Sequence, residues 1–300
     1  MIQPSFPVFR RAVIVGTGLM GGSLGLVLRT RRLALRVVGV ARRPETLQTA
    51  LEVGAVDEGT HDVAEAVREA DFLVIATPVS AILPILQKAA PYLGADCLVT
   101  DMGSVKSPVV RQADEVLPEW VHFVGGHPMC GSEEAGPSAA RGDLYEGAVW
   151  VVTPTDRTRA GDVERLCGLI RAVGAVPLVL SPEEHDAAVA SASHLPHVAA
   201  CALALAVREG ARGNPAVSKL CAGGFRDTTR IASGSAEVWR DILLANAESV
   251  LEQLGYFLRC LDDLRAAIEE RDADHLAELL SEAAQAREDC LRPRKPGKAS

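Results

Sequence analysis

Large aromatic side chains are scarce here: three Trp, three Tyr and six Phe in 300 residues. Ala, Val and Leu must therefore fill the interior, which suits helices lying close against a sheet. Paired cysteine motifs are missing too. The seven cysteines are scattered, odd in number and form no C-x-x-C. That excludes a disulfide framework and points to a reduced, cytoplasmic protein. The N-terminus lacks a long apolar stretch, and no apolar run reaches the roughly 18 residues of a membrane span. No membrane helix is therefore expected. An excess of positive charge is also missing. The net charge of -8 argues against general affinity for nucleic acid or an anionic membrane. Local arginines can still receive a small anion. No internal repeat of solenoid type is present.

Short apolar, β-branched runs alternate with helical patterns in the first part of the chain. "RAVIVG", "LRVVGV", "DFLVIATP", "DCLVTDMGS", "VHFVGG" and "AVWVVTP" read as strands. "RPETLQTALEVG", "DVAEAVREAD", "AILPILQKAAPYLG" and "SVKSPVVRQADEVL" read as helices between them. "ERLCGLIRAVGAVPLVLS" adds a last helix and strand. Continuous apolar strands alternating with helices predict a parallel sheet covered on both faces. The texture changes after about Ser181. "PEEHDAAVASASHLPHVAACALALAVREGA" reads as one long Ala-rich helix containing Pro196, and the pattern from Ala236 nearly to Cys290 is helical. An α/β domain over residues 1–180 and an all-helical domain over 181–300 are expected.

"VIVGTGLMGGS" places Gly16, Gly18 and Gly21 in G-x-G-x-x-G order after a strand and at the opening of a helix. That context makes the motif a dinucleotide cradle and the first domain Rossmann-like. Gly16 permits the tight turn, Gly18 the approach of a pyrophosphate, and Gly21 close packing of helix on strand. Leu19 and Met20 lie on the same cradle. Thr77 and Pro78, ending "DFLVIATP", count as further cofactor contacts. The second strand should end in an acid that binds the ribose of NAD. It reads "VVGVARRPE" instead, with Ala41 in that place and Arg42 and Arg43 after it. Two guanidinium groups without a carboxylate suit a 2′-phosphate, so NADP is favoured over NAD.

In "HFVGGHPMCGSEEAG", His127 follows two glycines, in a loop expected just beyond a strand end. Ligand chemistry in such folds lies beyond the carboxyl ends of the strands. Histidine suits a dehydrogenase because it can take a hydroxyl proton near neutral pH as hydride leaves carbon. The glycines are expected to bring the backbone close to cofactor and substrate.

"VTDMGSVKSPV", "HFVGGHPMCGSE", "SHLPHV" and "GGFRDTTRIAS…VWRDI" follow the glycine loop in that order. This set resembles the prephenate and arogenate dehydrogenases of tyrosine biosynthesis over roughly residues 10–255. The resemblance implies an NADP- or NAD-dependent oxidative decarboxylation, an active site between the two domains, and a homodimer formed through the helical domain. It implies that His127 is catalytic, that Ser104 bonds this histidine near the cofactor, and that Arg230 clamps the substrate carboxylate. Asp227 is placed to orient Arg230. His194 and His197 are expected on the helix facing the substrate cleft, and Ser132 and Glu133 at the substrate or the other subunit. No metal is needed. Trp239 reads as a packing residue, and His61, His122, His185 and His275 as structural or exposed.

Two other functions compete. A β-hydroxyacid or phosphogluconate-type dehydrogenase shares the domain order but uses a helical lysine, which the helix bearing His194 and His197 lacks. A non-catalytic NADP-binding sensor would bind cofactor without turnover.

Overall fold

The structure is a computed structural model, and it describes residues 9–132 and 134–292. Among these, eight strands form one sheet: β1 (Ala12–Val15), β2 (Val37–Val40), β3 (Glu58–Thr60), β4 (Phe72–Ile75), β5 (Leu98–Asp101), β6 (His122–Pro128), β7 (Val149–Thr153) and β8 (Val176–Val179). Their order is β3-β2-β1-β4-β5-β6-β7-β8. The chain starts near the middle, winds outward to β3, and returns to add β4 on the other side of β1. The switch point between β1 and β4 is where an open α/β sheet leaves a crevice.

The sheet is not parallel throughout, as the apolar runs had suggested. β1 to β6 pair parallel, but β7 runs antiparallel to β6, with His127 opposite Val151. The described residues of 129–148 hold a 3-10 turn (Pro137–Ala139) but no crossover helix, so the chain reverses instead of crossing the sheet. Helix α6 (Ala160–Ala172) restores a crossover, and β8 pairs parallel to β7.

Period-two alternation sorts each strand between two apolar layers. Ala12 and Ile14 of β1 join one cluster with Leu24 and Leu28 of α1 (Leu19–Thr30) and Leu166 and Ile170 of α6. Val13 and Val15 join the other, with Ile82 and Leu86 of α4 (Val79–Ala89) and Val109 and Val110 of α5 (Ser107–Val116). Two short helices, α2 (Pro44–Glu52) and α3 (Val63–Ala66), cover the β2–β3 side. Proline in the first turn of α2 and α5 presets the backbone where no intrahelical donor is needed.

The second part is helical, as expected. A capping box at Ser181 and Glu184 opens α7 (Pro182–Val189). A π turn (Ala190–His194) joins it directly to α8 (Leu195–Gly213). Pro196 has no N–H to offer the carbonyl of Ala192, so the ladder slips by one residue there. By length and composition, Pro182–Gly213 is long and apolar enough to cross a membrane, which short apolar runs had not suggested. It nevertheless buries Asp186 and three histidines among protein partners, while 28% of its apolar window is buried. After it come α9 (Ala216–Leu220), α10 (Gly223–Thr229), a 3-10 turn (Arg230–Ser233), α11 (Ala236–Ala245), α12 (Ala247–Glu270) and α13 (Ala273–Leu291).

By compactness the chain divides after Ser249, far from residue 180 where strands give way to helices. Helices α7 to α11 fall in the sheet's unit, and polar bonds tie α7 and α11 to it. Asp186 accepts the backbone N–H groups of Lys106 and Ser107 at 2.7 and 2.8 Å, and the Ser80 hydroxyl bonds Asp241 at 2.5 Å.

Candidate active site

A cleft of about 490 Å³ lies at the β1/β4 switch point. Gly16, Thr17 and Gly18 line one side, Ala76, Thr77 and Pro78 another, and Arg42, Arg43 and His61 the far end. Each glycine of the cradle has its own reason. Gly16 sits at φ +97°, and a Cβ there would strike the carbonyl of Ala76. A Cβ on Gly21 would strike the carbonyl of Gly16 and come within 2.9 Å of Ile14. At Gly18 a Cβ would meet nothing within 4 Å, so this backbone faces open space at the start of α1. An anion fits that cradle, where helix N–H groups point outward. Leu19, the first residue of α1, packs its side chain on the core and is not among the residues lining the cleft. Arg42 and Arg43 are exposed at the end of β2. Among the described residues, the one carboxylate lining the cleft is Glu237, far from the β2 end in sequence.

A smaller cavity of about 200 Å³ shares Ala76, Thr77 and Pro78 with the cleft. Met20, Met102, Gly103 and Ser104 complete that side of it, and Val238 and Ile242 of α11 face them. Met20 and Ser104 thus meet beside the cleft.

His127 is not in the expected loop but inside β6, and only 9% exposed. The glycines before it do not open space for a ligand. They let β6 lie tightly in the sheet: a Cβ on Gly126 would sit 2.8 Å from the carbonyl of Asp101, and one on Gly125 would strike Thr153 Oγ1. The partner of His127 also differs from expectation. Its Nδ1 lies 2.8 Å from Nε2 of His185, while Ser104, in the turn after β5, forms no hydrogen bond to it among the described residues. His185, read from the sequence as structural or exposed, is fully buried, and its Nδ1 lies 2.7 Å from Oδ1 of Asp186. Burial pushes the His127 pKa well below the ordinary imidazole value, and nearby His185, Lys106 and His194 push the same way. Burial alone would raise Asp186. Hydrogen bonds from His185 and from the Lys106 and Ser107 amides outweigh it and hold the carboxyl below its usual range.

Behind β6, Lys106 and Asp101 form an ion pair with both side chains at 0% exposure. Lys106 Nζ also donates to the carbonyl of Gly126 at 2.9 Å. Asp101 accepts the N–H groups of Gly103 and Gly126 at 2.8 and 3.1 Å. These bonds pin the turn carrying Ser104 to the strand carrying His127.

His194 and His197 are both buried. Asn246 donates its amide to the backbone carbonyl of Asp186 at 2.8 Å and lies 3.2 Å from Nδ1 of His194. Burial first, and the neighbouring His185 and His197 against Asp186, bring His194 down to about 4. His197 stacks on Trp239 at 3.6 Å between ring centroids, which is the packing role expected of that tryptophan. The Nδ1 of His197 is buried without a hydrogen-bond partner among the described residues. Arg230 is exposed in the 3-10 turn, next to Ile231, whose backbone faces His197. Asp227 is exposed on α10. Ser132 is exposed and accepts the N–H of Glu134 at 3.2 Å. Glu133 lies outside the described residues.

Sequence reasoning therefore missed Asp101, Lys106, His185, Asp186 and Asn246. Lys106 stood in the quoted "DMGSVK", but nothing local marked it as buried.

Two family models cover most of the chain: "Prephenate dehydrogenase, nucleotide-binding domain" over residues 24–179 and "Prephenate dehydrogenase, dimerization domain" over 181–282. The chain belongs to the prephenate dehydrogenase family. Prephenate dehydrogenase of Bacillus subtilis is 38% identical over 265 residues, 88% of this chain and 71% of that one. Among solved structures, prephenate dehydrogenase from Aquifex aeolicus, in complex with hydroxyphenyl propionate and NAD+, superposes with a TM-score of 0.88 at 34% identity. That match covers 95% of this chain and 99% of the other. Synechocystis arogenate dehydrogenase gives 0.80 at 31% identity, covering 94% of this chain and all of the other. Family membership makes this chain a nicotinamide-dependent dehydrogenase, and the hydroxyacid-dehydrogenase and sensor alternatives fall away.

Proposed function

We propose that this prephenate dehydrogenase family member oxidatively decarboxylates prephenate, or its amino counterpart arogenate, in L-tyrosine biosynthesis, with His127 as the proton acceptor. The observation that carries the role of His127 is its buried ring, whose Nδ1 is engaged by His185. The remaining ring nitrogen, Nε2, is left for the substrate. A bound nicotinamide supplies the hydride acceptor. As the ring hydroxyl gives its proton to His127 Nε2, the hydrogen on the same carbon departs as hydride. The carboxylate on the ring then leaves as carbon dioxide, its bonding pair makes the ring aromatic, and the ring oxygen takes a proton back from His127, so that the base is restored. The protein's tasks are positioning, proton acceptance and carboxylate binding. Arg230 is assigned to the substrate carboxylate, where its planar fork fits. His197, with its unpartnered Nδ1, stands beside the same turn and is assigned to the substrate too.

Arg42 and Arg43, with no acid at Ala41, support NADP as the preferred cofactor. The match to a dimerization-domain model supports a homodimer. Seven free cysteines accord with a cytoplasmic setting.

The test is His127→Asn. It keeps a similar shape but removes the base, and kcat should fall on the order of 100-fold or more with cofactor affinity little changed. Steady-state turnover with prephenate and a cofactor titration check it. Near-normal turnover would sink the assignment.

A further inference from the structure

We propose that His185 and Asp186 form a proton-relay pair behind His127, fixing the tautomer that leaves His127 Nε2 bare and drawing off the charge when that nitrogen takes a proton. The inference rests on His127 being the base. It goes further in naming two positioning residues.

The hydrogen-bond chain permits one assignment. Asp186 accepts two backbone N–H groups, from Lys106 on Oδ1 and from Ser107 on Oδ2. A carboxylate only accepts, so the 2.7 Å contact to its Oδ1 requires a hydrogen on His185 Nδ1. In neutral His185, Nε2 is then a lone pair. It lies 2.8 Å from Nδ1 of His127, which must therefore carry the hydrogen between them. One ring nitrogen of His127 remains, Nε2, and it is an acceptor. A general base needs that state before each turnover.

The same chain disposes of the proton. When Nε2 of His127 accepts it, both nitrogens of that ring are protonated. The Nδ1–H bond can then break as a new N–H bond forms at Nε2 of His185. His127 is left neutral, and the positive charge rests on His185 against the Asp186 carboxylate. No other group nearby competes for it. Lys106 is held by Asp101 and the Gly126 carbonyl. His194 presents Nδ1 to the donating amide of Asn246, so that nitrogen is not a free base. His197 is stacked on Trp239 and forms no hydrogen bond to His127 or His185 among the described residues. Burial makes His127 by itself a weak base, and a carboxylate two bonds back along the chain offsets that weakness.

The test combines tautomer and kinetics. Histidine ring ¹⁵N NMR of the wild-type protein with NADP bound should show His127 hydrogenated at Nδ1. In His185→Phe, with an aromatic ring kept and both nitrogens gone, kcat should fall about 100-fold while KM and the cofactor Kd move less than about threefold. The acid limb of log kcat/KM should also move to lower pH by about one unit, because losing the Asp186 carboxylate's support through the relay outweighs the relief from the charge of His185 itself. His185→Gln can accept the Nδ1–H but cannot pass a proton. It should recover about tenfold over Phe with the acid limb still displaced. A purely structural role would not move that limb. Finding His127 hydrogenated at Nε2 overturns the relay, whether or not the variants fold. So does a His185→Phe enzyme with normal kcat and pH limb when His127→Asn is inactive. Normal turnover in His127→Asn instead removes the base itself.

Discussion

Ala41 has no functional group, and what it leaves out sets the character of the cofactor cleft. A carboxylate there would accept ribose hydroxyls and repel a 2′-phosphate. Instead the β2 end offers Arg42 and Arg43 to the cleft, both exposed, with His61 beside them. Each charge-assisted contact is worth on the order of 1–2 kcal/mol, less when solvated. The kcat/KM preference for NADP over NAD should thus be about tenfold to several hundredfold and should shrink in high salt. Ala41→Asp with Arg42→Ala should reverse it. Initial rates with both cofactors at equal concentration decide the point, and a native enzyme faster with NAD would reduce the arginines to a solvated strand end.

At the scale of elements, the junction of β5, β6 and the start of α5 holds the site in shape. Three backbone segments meet on one buried ion pair, because Lys106 and Asp101 together bond the carbonyl and the N–H of Gly126 and the N–H of Gly103. Removing one charge strands the other without water. Lys106→Met should therefore cost about 3–5 kcal/mol of stability. The double variant Asp101→Asn with Lys106→Met should cost less than the single one, because no bare carboxylate remains. Urea unfolding of the three proteins measures both. If the single and double variants lose equal stability, the pair is not what holds the junction.

At the scale of the molecule, the polar groups buried in the sheet's unit shape its response to acid. The pKa values of His127, His194 and His197 are depressed, each first by burial. Their stabilising share is whole above the unfolded value of about 6.5 and is lost as pH falls through the folded values. Asp186, also depressed, adds loss in the same direction at lower pH. His127 alone can contribute up to about 1.4 kcal/mol per pH unit below 6.5. Thermal melts without ligand should give a flat Tm from pH 8 to 7 and a falling one from pH 6.5 to 5. A Tm unchanged down to pH 5 would mean that these rings titrate freely in the fold. The proposed homodimer has its own test in α12. Leu251, Leu254, Leu258 and Leu261 recur at coiled-coil spacing there, and Leu251, Leu258 and Leu261 are exposed in one chain. Light scattering should give twice the mass of one chain, and Leu258→Glu with Leu261→Glu should halve it. A wild-type monomer would contradict the dimer.

Some of this protein could be read along the chain because the rules involved are local. A glycine loop between a strand and a helix needs only neighbouring residues, and the φ of Gly16 and the crowding at Gly21 are local facts as well. Alternation of apolar runs with helical periods likewise determined the sheet with helices on both faces, and its loss after Ser181 determined the helical remainder. Motifs in a fixed order carried the family. The direction of β7 was not legible, since it depended on whether residues 129–148 formed a crossover helix. Nor was the partner of His127. His185 stands 58 residues away in a sequence of unremarkable "EEHDAA", and they meet only because Asp186 docks α7 onto the N-terminus of α5. Burial of Lys106 and Asp101 also needed the sheet assembled around them. Backbone propensity and periodicity act over a few residues. Hydrogen-bond chains between buried groups are decided by which distant surfaces pack together, and only the tertiary structure states that.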